Sequence, residues 1–185
     1  MIFMLAVLTA ICDVGGKELL VGSMRVGMVK ISDGMSINGK LFNSELPLER
    51  YHEVFGLPSR TIEAGSPAPF GHRNNQVHVF DSQGIYLTEH HASRLIESVN
   101  FVFDPLDSPF PIDRAFDGIL EVGEQTIRAG MLEADIESEH LSHDIPGEYS
   151  VKLEKCWIGI SAQGRRDARG KRRKPRYVVR VSVCF

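Results

Sequence analysis

The side chains best suited to chemistry cluster between residues 72 and 91, where His72, His78, His90 and His91 accompany Glu89. Imidazoles beside a carboxylate can hold a divalent metal or pass a proton. Adjacent residues on a strand point to opposite faces, however, so His90 and His91 cannot share one metal unless the backbone bends, and neither HExxH nor HxH occurs. These histidines are expected at the surface or in turns. His140 and His143 stand three apart among carboxylates and would converge on a helix. The simpler expectation is a solvated acidic face, with no metal or other cofactor. Nucleophilic catalysis needs a serine or cysteine beside a base; GxSxG is missing, and so are the phosphate-cradling GxGxxG and GxxxxGK[ST]. The chain is therefore expected not to be an enzyme.

Cys12, Cys156 and Cys184 are odd in number, widely spaced and without a CxxC, which indicates neither a disulfide framework nor a thiolate zinc site. A reducing compartment, the cytoplasm, fits this best. Cys156 and Cys184 fall in strand-like runs, where a buried thiol is the usual outcome, and their pairing across adjacent strands stays open.

Charge carries the clearest signal. Arg165, Arg166, Arg169, Lys171, Arg172, Arg173, Lys174 and Arg176 make eight positive residues against the single Asp167, so residues 165–176 carry +7; removing this from the −3 of the whole chain leaves −10 on the other 173 residues. The acidic body offers Asp104, Asp107, Asp113, Asp117, Glu133, Asp135, Glu137, Glu139 and Asp144, followed by Glu148, as contacts for a basic protein partner. The basic segment has the composition of a phosphate-binding patch and supplies the alternative, nucleic-acid binding. Only Tyr177 stands near it for stacking, so base readout has little support. A mobile loop that offsets the acidic body is the plainest reading of that segment.

The elements that must position these residues are mostly short strands. At 185 residues and 43% apolar composition, the chain suits one core and one domain, residues 1–185. Met1 to Cys12 is apolar, lacks the positive start of a secretory signal and is too short to span a bilayer, so a buried strand or an anchoring segment on the core is expected rather than a processed leader. Alternation around Val26, Met28, Val29 and Ile31 predicts a strand, and Asn38-Gly39 a tight hairpin turn. Leu48, Tyr51, Val54 and Phe55 recur at helical spacing between Pro47 and Gly56. Residues 61–76 read as surface. Val77–Phe80 and Ile85–Leu87 predict a second hairpin, 91–96 a short helical turn, 99–103 a strand, and 118–128 a third hairpin about Gly123-Glu124. Two long strand-like runs, 149–161 and 177–185, are expected to pair and to present residues 163–175 as a basic loop. The fold class is α+β, a mainly antiparallel sheet of several hairpins with one or two short helices.

The phrases Ile37-Asn38-Gly39-Lys40, then Leu46 to Arg60 ending in Phe55-Gly56-Leu57-Pro58-Ser59-Arg60, then Val79-Phe80-Asp81-Ser82-Gln83-Gly84-Ile85-Tyr86-Leu87 carry a resemblance. Over residues 26–104 the order of turn, helix and Asp-x-x-Gly-Ile-Tyr hairpin resembles small bacterial immunity-type proteins encoded beside secreted antibacterial toxins, including those of type VI secretion. The resemblance implies a cytoplasmic, non-catalytic inhibitor that binds one cognate toxin. The acidic body suits a toxin with a basic active-site groove, such as a nuclease.

Overall fold

A computed structural model describes residues 26–32, 34–63, 75–136, 142–166 and 171–185. The expectation for residues 1–12, along with His72, His140, Glu137, Glu139 and Arg169, lies outside the described residues. Alternation makes β1 (Met28–Ile31), which buries Val29 and Ile31 and turns Met28 and Lys30 outward. β2 (Met35–Ile37) and β3 (Lys40–Phe42) form the hairpin that Asn-Gly favours, with φ of 51° at Asn38 and 79° at Gly39. Helix α1 (Leu48–Phe55) starts after Pro47, buries Tyr51, Val54 and Phe55, and stops at Gly56, whose N–H donates to the His52 carbonyl.

Next come β4 (Arg60–Ile62), β5 (Asn75–Phe80), β6 (Ile85–His90) and β7 (Ile96–Val102). A single turn of 3-10 helix, Pro105–Asp107, follows under an Asp104 cap, and β8 (Ile119–Val122) and β9 (Gln125–Ile127) form the hairpin about Gly123. A second 3-10 turn, Glu133–Asp135, precedes β10 (Ser142–Ile145), β11 (Glu148–Lys152), β12 (Trp157–Arg166) and β13 (Arg172–Cys184).

The strands form two sheets, a five-stranded one in the order β3-β2-β1-β8-β9 and an eight-stranded one in the order β10-β11-β12-β13-β7-β6-β5-β4. Pairing is antiparallel except between β1 and β8. One apolar cluster joins the inner faces of both sheets and α1, running from Val29, Ile37 and Leu120 through Tyr51 and Phe55 to Leu87, Phe101 and Val181. A smaller cluster covers one end of the large sheet's outer face, where Phe110 and Ile112 lie over Val77, Val79, Tyr86 and Val102.

The short helical turn expected at 91–96 is a single uncontinued turn: the Arg94 N–H donates to the His90 carbonyl at 2.8 Å, and Arg94 at φ 60° ends it where the His90 N–H bonds to the Leu95 carbonyl. Two expectations change. The run 149–161 is two strands, reversed at 153–156 where the Leu153 N–H meets the Cys156 carbonyl. The basic loop expected over 163–175 is largely strand: β12 runs to Arg166 and β13 resumes at Arg172. Strand structure is tolerated there because carboxylates of the body meet the arginines. Arg172 forks onto Asp107 at 2.5 and 3.1 Å, and Arg176 donates to Glu133 at 2.9 Å.

Candidate functional site

In an antiparallel sheet, residues directly opposite one another share a face. Strand register therefore reads out the large sheet row by row. One inner row runs Val151, Ile158, Val183, Val99, Leu87 and then His78 and Thr61, apolar until it reaches the β5–β4 edge. The outer rows differ. One is Trp157, Cys184, Ser98, Thr88 and Val77; the next is Gly159, Ser182, Asn100, Tyr86 and Val79; a third is Glu148, Ser161, Arg180 and Val102. Where these rows end in Val77, Val79 and Val102, Phe110 and Ile112 cover them. Across β7, β13 and β12 the residues are small or polar, and an open groove of about 700 Å³ remains.

The floor of the groove is a connected hydrogen-bond chain. Ser182 Oγ donates to Asn100 Oδ1 at 2.7 Å, Asn100 Nδ2 donates to Ser98 Oγ at 2.8 Å, and Ser98 and Thr88 hydroxyls meet at 2.7 Å. Such a network fixes side chains that would otherwise be buried without partners. Beside it, Arg180 donates to the Tyr86 hydroxyl at 3.4 Å and to Ser161 Oγ at 3.3 Å, while Ser161 donates to Glu148 at 2.7 Å. Burial pushes the Tyr86 hydroxyl pKa up, opposed in part by the Arg180 charge, so the phenol stays protonated. Desolvation also pushes the Cys184 thiol up, with Arg180 opposing and Glu97 adding to the shift, which keeps it a poor nucleophile. No histidine among the described residues lines the groove. Trp157 stands in its row between Cys184 and Lys152, 51% exposed, with the Lys152 ammonium 5.8 Å from its ring centre.

A second polar group lies on the inner face at the β4–β5–β6 edge. His78 Nε2 is 2.7 Å from Glu89, whose other oxygen accepts from Arg94 at 2.8 Å, and His78 Nδ1 is 3.1 Å from the Thr61 hydroxyl. His78 and Glu89 side chains are 5% and 1% exposed. The expectation of a surface or turn histidine is thus corrected at His78, which a central strand position carries inward; His90 and His91 do sit at the β6–β7 turn. The order hydroxyl, imidazole, carboxylate is that of a nucleophilic triad. Neither of the two principal grooves reaches Thr61, and the arginine on Glu89 makes the cluster a cross-strand brace. His52, on α1, has its Nε2 buried without a partner, and burial first, then the neighbouring His78, lowers its pKa. Among the described residues no group of three or more His, Cys, Asp or Glu side chains converges as a metal site.

The acidic residues divide by position. Asp104 caps the first 3-10 turn by accepting from the Leu106 N–H, and Asp107 and Glu133 are held by Arg172 and Arg176. Burial raises the Glu133 pKa, but bonds from Arg176 and Tyr149 and the charges of Arg176 and Lys174 outweigh that and hold it below the usual range. Asp113, Asp117 and Asp135 are exposed, and Asp144 lies on β10. Neither Asp113 nor Asp117 is among the residues that line the groove; Glu97 is the carboxylate that does. Of the basic residues, Arg165 and Arg166 lie on β12, and Arg172, Arg173, Lys174 and Arg176 on β13, with Lys171 just before it.

The residues that carry the resemblance are structural. Ser59 Oγ accepts from the Asp81 N–H, Arg60 donates to Asp81 and to the Pro111 carbonyl, and Gln83 donates to the Phe55 carbonyl at 2.5 Å. Together they tie the end of α1 to the β5–β6 turn. Sequence reasoning missed Trp157, Arg180, Ser182, Ser98 and Asn100. Their signal was there, since Arg180, Ser182 and Cys184 alternate with valines in β13, but only strand order brings them beside β7.

No helix among the described residues is long and apolar enough to cross a membrane. No curated protein and no solved structure matches the chain. Residues 29–137, more than half of the sequence, match the family described as a domain of unknown function, DUF7738, and the protein belongs to that family.

Proposed function

We propose that this protein is a non-catalytic inhibitor, acting in the cytoplasm, that binds a cognate antibacterial toxin and occludes its active-site groove through the outer face of the eight-stranded sheet. The observation that carries this reading is the open groove on that face, floored by Ser182 and Asn100, with an exposed Trp157 on the neighbouring strand opposite Cys184. A rigid polar floor with an aromatic at its margin is the anatomy of a recognition surface, because the aromatic supplies contact area at little entropic cost. Exposed carboxylates at Asp113 and Asp117 favour a partner with a basic rim. Tyr86, Ser98 and Asn100 lie within the family span, whereas Trp157, Arg180 and Ser182 lie beyond residue 137, so the surface joins a family framework to residues specific to the rest of the chain.

Nucleic-acid binding through residues 165–176 is the weaker alternative, because Arg172 and Arg176 already have carboxylate partners and would have to leave them. The test is co-expression with the toxin candidate encoded next to the gene. The expected result is restored growth and a co-purifying complex that Trp157→Ala weakens at unchanged melting temperature. A toxin that kills equally well with or without the protein, or retention of DNA or RNA that falls steeply with salt and is lost on Arg172→Ala, would replace this reading.

A further inference from the structure

We propose that Arg180 and Tyr86 form a receptor for a carboxylate, an Asp or Glu side chain that the partner protein inserts into the groove. Among the described residues Arg180 is the one guanidinium that lines the groove, and it makes no ion pair. Its bonds to the Tyr86 hydroxyl and Ser161 Oγ, at 3.4 and 3.3 Å, are long against the ~2.7–2.9 Å of a bond from a cation to a charged acceptor. Its Nε is buried with no acceptor among the described residues. The residue is half-buried at the edge of the groove, so a guanidinium without a carboxylate keeps donors free for an anion that enters there. Arg94, Arg172 and Arg176, with side chains 59%, 34% and 29% exposed, each hold a carboxylate.

The hydroxyl of Tyr86 adds a second feature. Tyr86 as a residue is 4% exposed and lines the groove, and its hydroxyl accepts from Arg180 and gives its own hydrogen to no acceptor among the described residues. A protonated phenol beside a guanidinium offers two kinds of donor to one anion. The groove selects a single negative charge, because Glu97 also lines it and Glu148 lies one hydrogen bond away through Ser161. A phosphate would place a second negative charge against those carboxylates. That the carboxylate arrives on a protein rests on the inhibitor reading above; the carboxylate chemistry rests on the groove alone.

The test uses the full chain and no toxin. A capped Gly-Asp-Gly peptide, its Gly-Asn-Gly counterpart and inorganic phosphate are each titrated while NMR follows the arginine Nε–H and Asn100 side-chain amide signals. The aspartyl peptide is expected to shift these signals saturably and to bind at least about tenfold more tightly than the asparaginyl one, a difference of roughly 1.4 kcal/mol. Arg180→Met should abolish the Asn100 response and Tyr86→Phe should weaken it. Arg180→Lys, which keeps the charge but loses the planar fork, should fold and bind more weakly. Equal response to both peptides, tighter binding of phosphate, or a response that survives Arg180→Met or Arg180→Lys unchanged would overturn the proposal. Because no toxin is involved, such a failure leaves the inhibitor reading standing. A failed co-purification would in turn leave the carboxylate site untouched.

Discussion

Replacing Glu89 with alanine tests whether the polar brace on the inner face stabilises the fold. Glu89 is 1% exposed and accepts from His78 at 2.7 Å and from Arg94 at 2.8 Å. Hydrogen bonds to a charged group contribute about 1.5–3 kcal/mol each, and removing one member of a buried pair costs about 3–5 kcal/mol because the other is left without its partner. The Arg94 side chain is 59% exposed, so water screens its share to about 1 kcal/mol or less. Most of the loss therefore comes from His78, whose side chain is 5% exposed and has no other acceptor for its Nε2 hydrogen than Glu89. Glu89→Ala is expected to cost about 4 kcal/mol, which at about 2–4 °C per kcal/mol for a chain of this size lowers the melting temperature by roughly 8–16 °C. Arg94→Met should cost only about 1 kcal/mol. The paired replacement His78→Leu with Glu89→Leu removes both members of the buried pair, which sit in neighbouring rows of the inner face, and should cost less than Glu89→Ala alone. Urea unfolding with constant m-values measures all of these. A Glu89→Ala variant within about 1 kcal/mol of the parent, or an Arg94→Met variant equally damaged, would refute the assignment of the loss to burial.

Gly84 has φ 69°, and a Cβ placed there would stand 2.1 Å from the Phe116 backbone nitrogen, so Gly84→Ala should cost at least about 2 kcal/mol in thermal or urea unfolding. The depressed Glu133 pKa means that its pairing with Arg176 stabilises the fold above the ordinary glutamate pKa and is lost as pH falls through the lower native value. Glu133→Gln should accordingly flatten the acid limb of a stability–pH profile, by about 1 kcal/mol or less. Arg172→Ala should cost about 1 kcal/mol or less in low salt and less still in 1 M salt, measured by melting temperature, because its pairing with Asp107 is partly exposed. Trp157→Ala, at a half-exposed position, should leave stability within about 0.5 kcal/mol while reducing capture of the toxin partner in the co-expression assay.

Local chemistry made much of the fold legible. Asn38-Gly39 has positive φ at both positions, Pro47 and Gly56 bracket α1, and the turns at 81–84 and 123–124 join the expected strands. Each follows from interactions within a few residues. The errors came where a local signal competed with pairing partners distant in sequence. Residues 163–175 read as loop because they lie between two strand-like runs, yet Asp107, 65 residues away, meets Arg172 and Glu133, 43 residues away, meets Arg176 just beyond that segment. The same cause hid the groove. Ser98 and Asn100 in β7 read as ordinary polar positions of a half-buried strand, and Ser182 and Arg180 in β13 did too; their hydrogen bonds, across 82 residues between Ser182 and Asn100, exist only because β13 lies beside β7.

The sequence by itself determined most of the strands before residue 128, the helix, the Asn38-Gly39 and Gly123 turns and the segregation of charge, since torsional preference, side-chain alternation and charge are properties of neighbouring residues. Tertiary structure decided which strands are neighbours, and with that which carboxylates the basic hairpin occupies, that His78 is buried against Glu89, and that Arg180 faces an open groove without an ion-pair partner among the described residues. The physical reason is that burial and pairing depend on what packs against a side chain. For these residues the packing partners come from strands tens of residues away.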